Sequence, residues 1–160
     1  MDKLLISEAV ENLKLLDIFL YSSAVNRFEE IYKSDYPDDM SQQSQVSVKV
    51  DVLEADNDEA DEKKKFVHAK VNISVRFVQD NKDKEKPLCE IEACFVAKYL
   101  LSKEISEDAI SEFSQYNVIH NIWPFWREHA FRMSREAELP LPMISLYSNH
   151  TTEEMQEEEE

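Results

Sequence analysis

Glycine is absent from all 160 residues, against a usage of about 7% in average proteins. That absence excludes Gly-rich phosphate loops and dinucleotide-binding fingerprints. Turns must come from Asn, Asp, Ser and Pro instead. Basic residues are also scarce. Eighteen Lys and Arg stand against 34 Asp and Glu, for a net charge of −16. A protein that tracks phosphates needs clustered cations, so nucleic acid is not an expected partner. Anionic membrane surfaces are not expected partners on the same ground. No apolar run is long enough to span a bilayer, so no membrane insertion is expected. The first residues, Met1-Asp2-Lys3-Leu4-Leu5-Ile6-Ser7-Glu8, carry no sustained apolar stretch of the signal-peptide kind. Cysteine is limited to Cys89 and Cys94. They fall five apart in one strand-like segment and therefore point to opposite faces, which prevents a bridge. Cytoplasmic residence fits this usage.

What remains is a 42% hydrophobic chain, sufficient for one core. The pattern predicts a single domain over 1–150 and a disordered acidic tail over 151–160. Residues 7–14 read as one or two helical turns capped by Ser7. Residues 15–21 read as a first strand, although apolar residues occupy both parities. Val46, Val48, Val50 and Val52 alternate with polar residues in a period-2 strand. The charged run Glu54–Lys65 reads as a solvated loop. Val67, Ala69, Val71, Ile73, Val75 and Phe77 form the next apolar face. Residues 79–87 read as a hairpin connection. They lead to a last strand with Cys89, Ile91, Ala93, Phe95, Ala97 and Tyr99 on one face. Its other face carries Leu88, Glu90, Glu92, Cys94, Val96 and Lys98, and the small or apolar pair Cys94 and Val96 there suggests an oligomer contact. Such an antiparallel meander needs a cover on one face. Ser106, Glu107 and Asp108 open a covering helix. A second helix is expected over about 118–137, with Val118, Ile122, Trp126 and His129 at helical spacing. Pro124 predicts either a kink at His120 or a helix start capped by Asn121. Pro140 and Pro142 hold residues 139–143 extended.

No reaction chemistry emerges. The four histidines show no metal-ligand spacing with the cysteines, and no cofactor is implied. His129 reads as a satisfied core residue. Glu90 and Glu92 share a strand face and read as an acidic, water-facing surface. An enzyme is not expected.

Two stretches stand out: Trp123-Pro124-Phe125-Trp126-Arg127-Glu128, and Leu139-Pro140-Leu141-Pro142-Met143-Ile144-Ser145-Leu146-Tyr147. An aromatic, Pro-anchored helix followed by an extended Pro-Leu segment resembles the C-terminal half of the SecB-type export chaperones. Val48-Lys49-Val50-Asp51-Val52 resembles that family's second strand, and Leu88-Cys89-Glu90-Ile91 its fourth. The resemblance implies an α+β fold, a four-stranded antiparallel sheet covered on one face by C-terminal helices. It implies a homotetramer, built as a dimer of dimers, that holds unfolded or precursor polypeptides in apolar grooves. Client binding would fall to Val48, Val50 and Val52, helped by Trp123, Phe125 and Trp126. Leu88 and Glu90 match the surface that docks the translocase motor SecA. An antitoxin of a toxin–antitoxin system is the alternative client. Where the family has glycine after its long helix, this chain has Arg135-Glu136-Ala137-Glu138, which predicts that the helix continues. From a different class, an acidic α+β protein can act as a nucleic-acid mimic. Here most of the acid lies in loops and the tail, which opposes that role.

Overall fold

The computed structural model describes residues 1–55, 63–81 and 84–146. The tail, Tyr147, residues 56–62 of the charged run and residues 82–83 of the hairpin lie outside the described residues. In chain order the elements are helix α1 (Lys3–Asn12), strand β1 (Leu13–Arg27), a 3₁₀ turn (Lys33–Asp35) and strands β2 (Met40–Ala55), β3 (Lys64–Asn81) and β4 (Lys84–Leu101). Helix α2 (Glu107–Phe113), a π-helical turn (Ser114–Val118) and helix α3 (Ile119–Glu136) complete them. The sheet is antiparallel with order β1-β4-β3-β2. The meander β2-β3-β4 is the one the alternation predicts, and β1 adds to its far side.

Alternation in β3 and β4 translates directly into burial. Val67, Ala69, Val71, Ile73, Val75 and Phe77 are all buried, as are Cys89, Ile91, Ala93, Phe95, Ala97 and Tyr99. Other expectations need correction. The hairpin is far shorter than 79–87, because β3 runs to Asn81 and β4 starts at Lys84. Charged side chains at alternate positions do not stop a backbone from pairing, so polarity alone overstated the loop. On the second face of β4, Leu88, Cys94 and Val96 are buried within the single chain. Cys94 and Val96 therefore do not themselves call for a partner subunit. Neither Cys89 nor Cys94 forms a disulfide among the described residues.

Chain contacts gather into two units. The first comprises Met1–Tyr21, Val48–Val71 and Phe95–Ile122. Its helix α1 begins at Asp2, whose carboxylate accepts from the Leu4 and Leu5 amides at 2.9 and 3.4 Å. Asp2, not Ser7, is the cap, because it precedes the whole apolar run and sits at the positive end of the helix. Ser106 caps α2 as expected, accepting from the Ala109 amide at 3.2 Å. Tyr99 and Phe113 pack edge to face, with ring centroids 5.2 Å apart. Asn121 donates to the Tyr99 hydroxyl at 3.0 Å. Its amide is thus engaged with the sheet, α3 begins at Ile119, and Pro124 lies inside the helix. The π turn just ahead of α3 joins it to α2 without a break.

The second unit comprises Ser22–Ser47, Asn72–Cys94 and Trp123–Glu160. In it, Trp123, Trp126, His129 and Ala130 are buried on one stripe of α3, the spacing of a helix against a core. The helix does not continue through residue 138. Glu138 takes φ 54°, the Leu139 amide donates to the Ser134 carbonyl at 2.8 Å, and the Glu138 amide donates to Arg135 at 3.3 Å. These are the paired bonds of a Schellman ending, with Glu138 where glycine is usual. Burial of Leu139 draws the chain into that turn despite the Cβ penalty of roughly 1–2 kcal/mol for an L-residue. Replacing Glu138 by Gly is accordingly expected to stabilise the protein by about 1 kcal/mol. Thermal unfolding followed by circular dichroism should move up by about 2–4 °C. An unchanged or lowered midpoint would contradict the strained cap.

Candidate functional site

The valine row of β2 forms one wall of an open groove in the first unit. Val48, Val50 and Val52 line it together with Glu107, Ile110, Ser111, Ser114 and Gln115 of α2 and the π turn. Val48 and Val50 are half-buried and Val52 is exposed. Alternation explains the wall: period 2 brings the three valines to one face, while Lys49 points away and is exposed. Ile110 supplies an apolar contact opposite, and Ser111 and Ser114 are small enough to leave the space open. The cavity measures about 350 Å³, near the lower end of ligand pockets (roughly 300–1,000 Å³). It carries one carboxylate, Glu107, and no cation among its lining residues. That lining suits apolar side chains better than an anionic small molecule. β2 is also an edge strand, so the outer row of its backbone N–H and C=O groups has no strand partner in the sheet.

The three valines thus meet in one place, with α2 residues that sequence reasoning had not included. The signal for them was available: a helix opened by Ser106 and presenting Ile110 beside small serines. The remaining candidates lie in the second unit. Phe125 is 48% exposed, but Trp123 and Trp126 are 3% and 2% exposed. The ring faces of both indoles are packed within the chain. The Trp123 indole N–H is satisfied by the Ser145 carbonyl at 2.9 Å. Leu88 is likewise buried, at 2%, so its side chain provides no docking surface. Glu90 is half-buried and lines a polar hollow with Gln43, Arg76 and Glu85. Burial, then the neighbouring Glu92 carboxylate, push its pKa above the ordinary value. Glu90 is therefore more than part of a solvated face, whereas Glu92 is exposed.

His129 invites an alternative reading, because its Nε2 lies 2.7 Å from Ser23 Oγ. The hydrogen-bond directions oppose a nucleophilic pair. The Arg132 guanidinium, which only donates, approaches Nδ1 at 3.4 Å. The proton of the neutral ring is then on Nε2 and is donated to Ser23, whose hydroxyl donates onward to the Glu92 carbonyl at 3.0 Å. With the Nε2 proton directed at Ser23, His129 cannot take up the Ser23 hydroxyl proton as a base. Burial, then Arg132, lower the His129 pKa below its ordinary 6.5. A depressed folded value means stability that is present above pH 6.5 and lost as pH falls through the folded pKa. Denaturant midpoints should therefore decline from pH 7 to pH 5 in the wild type. A His129→Gln variant, weaker at pH 7, should decline less over the same interval; equal declines would remove His129 from the account. Glu90 acts with the opposite sign, its raised value adding stability as pH falls.

Among the described residues no group of three or more His, Cys, Asp or Glu is placed to hold a metal ion. Among them, too, no helix is long and apolar enough to cross a membrane.

No family model and no curated protein matches the chain. Solved structures do. The SecB-like chaperone Rv1957 of Mycobacterium tuberculosis, in complex with a ChAD peptide from the antitoxin HigA1, superimposes with a TM-score of 0.68 at 12% identity. The match covers 92% of this chain and 99% of that one. A protein of unknown function from Streptococcus agalactiae aligns with a TM-score of 0.37 at 11% identity, over 83% of this chain and 98% of that one. The first match, over nearly the whole of both chains, together with the four-stranded antiparallel sheet and its C-terminal helices, shows that this chain has the SecB-like fold.

Proposed function

We propose that the protein is a holdase that binds unfolded polypeptide along β2. The observation that carries the reading is the groove of Val48, Val50, Val52 and Ile110 beside an open strand edge. An extended client can place apolar side chains in such a groove while its backbone pairs with the edge, a mode indifferent to most of the client's sequence. The charge of −16 keeps such a sticky surface soluble. Within this reading, an antitoxin segment is a specific client class. It is favoured because the similar M. tuberculosis chaperone was captured with an antitoxin peptide. Delivery to SecA gains no comparable support, since Leu88 is buried.

The experiment sets two classes against each other. Stoichiometric protein should suppress aggregation of a denatured client and leave cleavage of DNA by a nuclease untouched. The opposite pair of results would favour the nucleic-acid mimic and overturn the holdase.

Assembly follows from β1 and not from β4. Leu15, Leu16, Phe19, Leu20 and Tyr21 are all exposed on this edge strand, between 39% and 62%. A contiguous apolar edge of this kind is a template for pairing unless another chain covers it. Light scattering at micromolar concentration is expected to give a mass above the monomer, with a tetramer the proposed state. A monomer would contradict it.

A further inference from the structure

The segment after the Schellman turn is an extended chain held from its side. Residues 139–146 belong to no helix or strand. Gln42 of β2 pairs with Met143 as a strand neighbour would. Its Nε2 donates to the Met143 carbonyl at 3.0 Å, and the Met143 amide donates to Oε1 at 2.7 Å. Arg127 Nε donates to the Ile144 carbonyl at 3.0 Å, and the Trp123 indole to that of Ser145 at 2.9 Å. All four bonds reach main-chain atoms of the segment. Over residues 141–144 its side chains divide by parity: Pro142 and Ile144 are buried, whereas Leu141 and Met143 are exposed at 58% and 87%; Leu139 is buried at the turn and Leu146 is exposed beyond it. Period-2 burial is the pattern of an extended peptide docked by one face.

A clamp built from Gln42, Trp123 and Arg127 reads backbone and not sequence. It would accept any extended polypeptide with apolar residues at alternate positions. We propose that residues 139–146 are an internal pseudo-client: a strap occupying a backbone-reading clamp that an unfolded polypeptide takes over by displacing it. This rests on the holdase reading and adds a second binding site to it, with an equilibrium that regulates access. The strap's attachment by side chains, without strand pairing, makes it exchangeable where a paired strand would not be.

The test uses the full chain with reduced, carboxymethylated α-lactalbumin as the unfolded client. Two variants loosen the strap without touching the clamp: Met143→Pro removes the amide that donates to Gln42, and Ile144→Ser removes the buried anchor. Client is expected to bind both at least threefold more tightly than wild type. Adding client to the wild type is expected to speed hydrogen exchange at the Met143 amide at least tenfold. Binding by the variants alone would likewise support the strap. If client binds the wild type, yet Met143 exchange stays constant and neither variant binds more tightly, the strap proposal falls and the holdase stands. If neither the wild type nor either variant binds client, both fall together.

Discussion

Val50→Asp should weaken client binding roughly ten- to hundredfold and leave the fold intact. Val50 sits midway along the β2 row and is half-buried in an open groove, so a carboxylate there reaches water and need not be buried unpaired. It nevertheless charges the surface on which an apolar client side chain must lie. A client side chain that loses its apolar contact forgoes about 1.5–3 kcal/mol, equivalent to roughly ten- to hundredfold in affinity. The cost in stability should be small by comparison. Fluorescence titration with labelled unfolded client, run beside circular dichroism and sizing, separates the two. Lost structure or lost assembly would place Val50 in the core, where an unpaired charge costs several times more.

Trp126→Ala should do the reverse. Its indole is 2% exposed, on the stripe of α3 that also carries Trp123, His129 and Ala130. Truncating a buried Trp costs about 3–5 kcal/mol, a large part of the roughly 5–15 kcal/mol that stabilises a typical domain. The denaturant midpoint should collapse, or the protein should fail to fold. Phe125→Ala, one residue away but 48% exposed, should shift stability by no more than about 0.5 kcal/mol. Equal effects of the two substitutions would contradict the division between core and surface drawn along this helix.

That division marks how far the sequence could be read. Helical spacing already aligned Val118, Ile122, Trp126 and His129, and all four are buried. The family likeness offered Trp126 for client binding, whereas its place on the helical stripe already reported its burial. Period 2 exposed β3 and β4 for the same reason. For β1 the strand read at 15–21 is there, longer at both ends, but period 2 named no buried face: Leu15 with Leu16 and Phe19 with Leu20 fall on both parities and all are exposed. The Schellman ending left no glycine to announce it. Gln42 left no trace either: a glutamine in a Ser/Gln-rich strand becomes a clamp only when the fold brings residue 143 to it. The valine wall of the groove was legible; its opposite wall on α2 needed the tertiary arrangement.

The most direct test of the central claim is amide hydrogen exchange of the wild-type protein with and without an unfolded client. Exchange is expected to slow at residues 46–53 of β2, where the open edge gains a partner, and at Ile110, Ser111 and Ser114 across the groove. A client that binds while leaving β2 unprotected, or that protects only another surface, would contradict it.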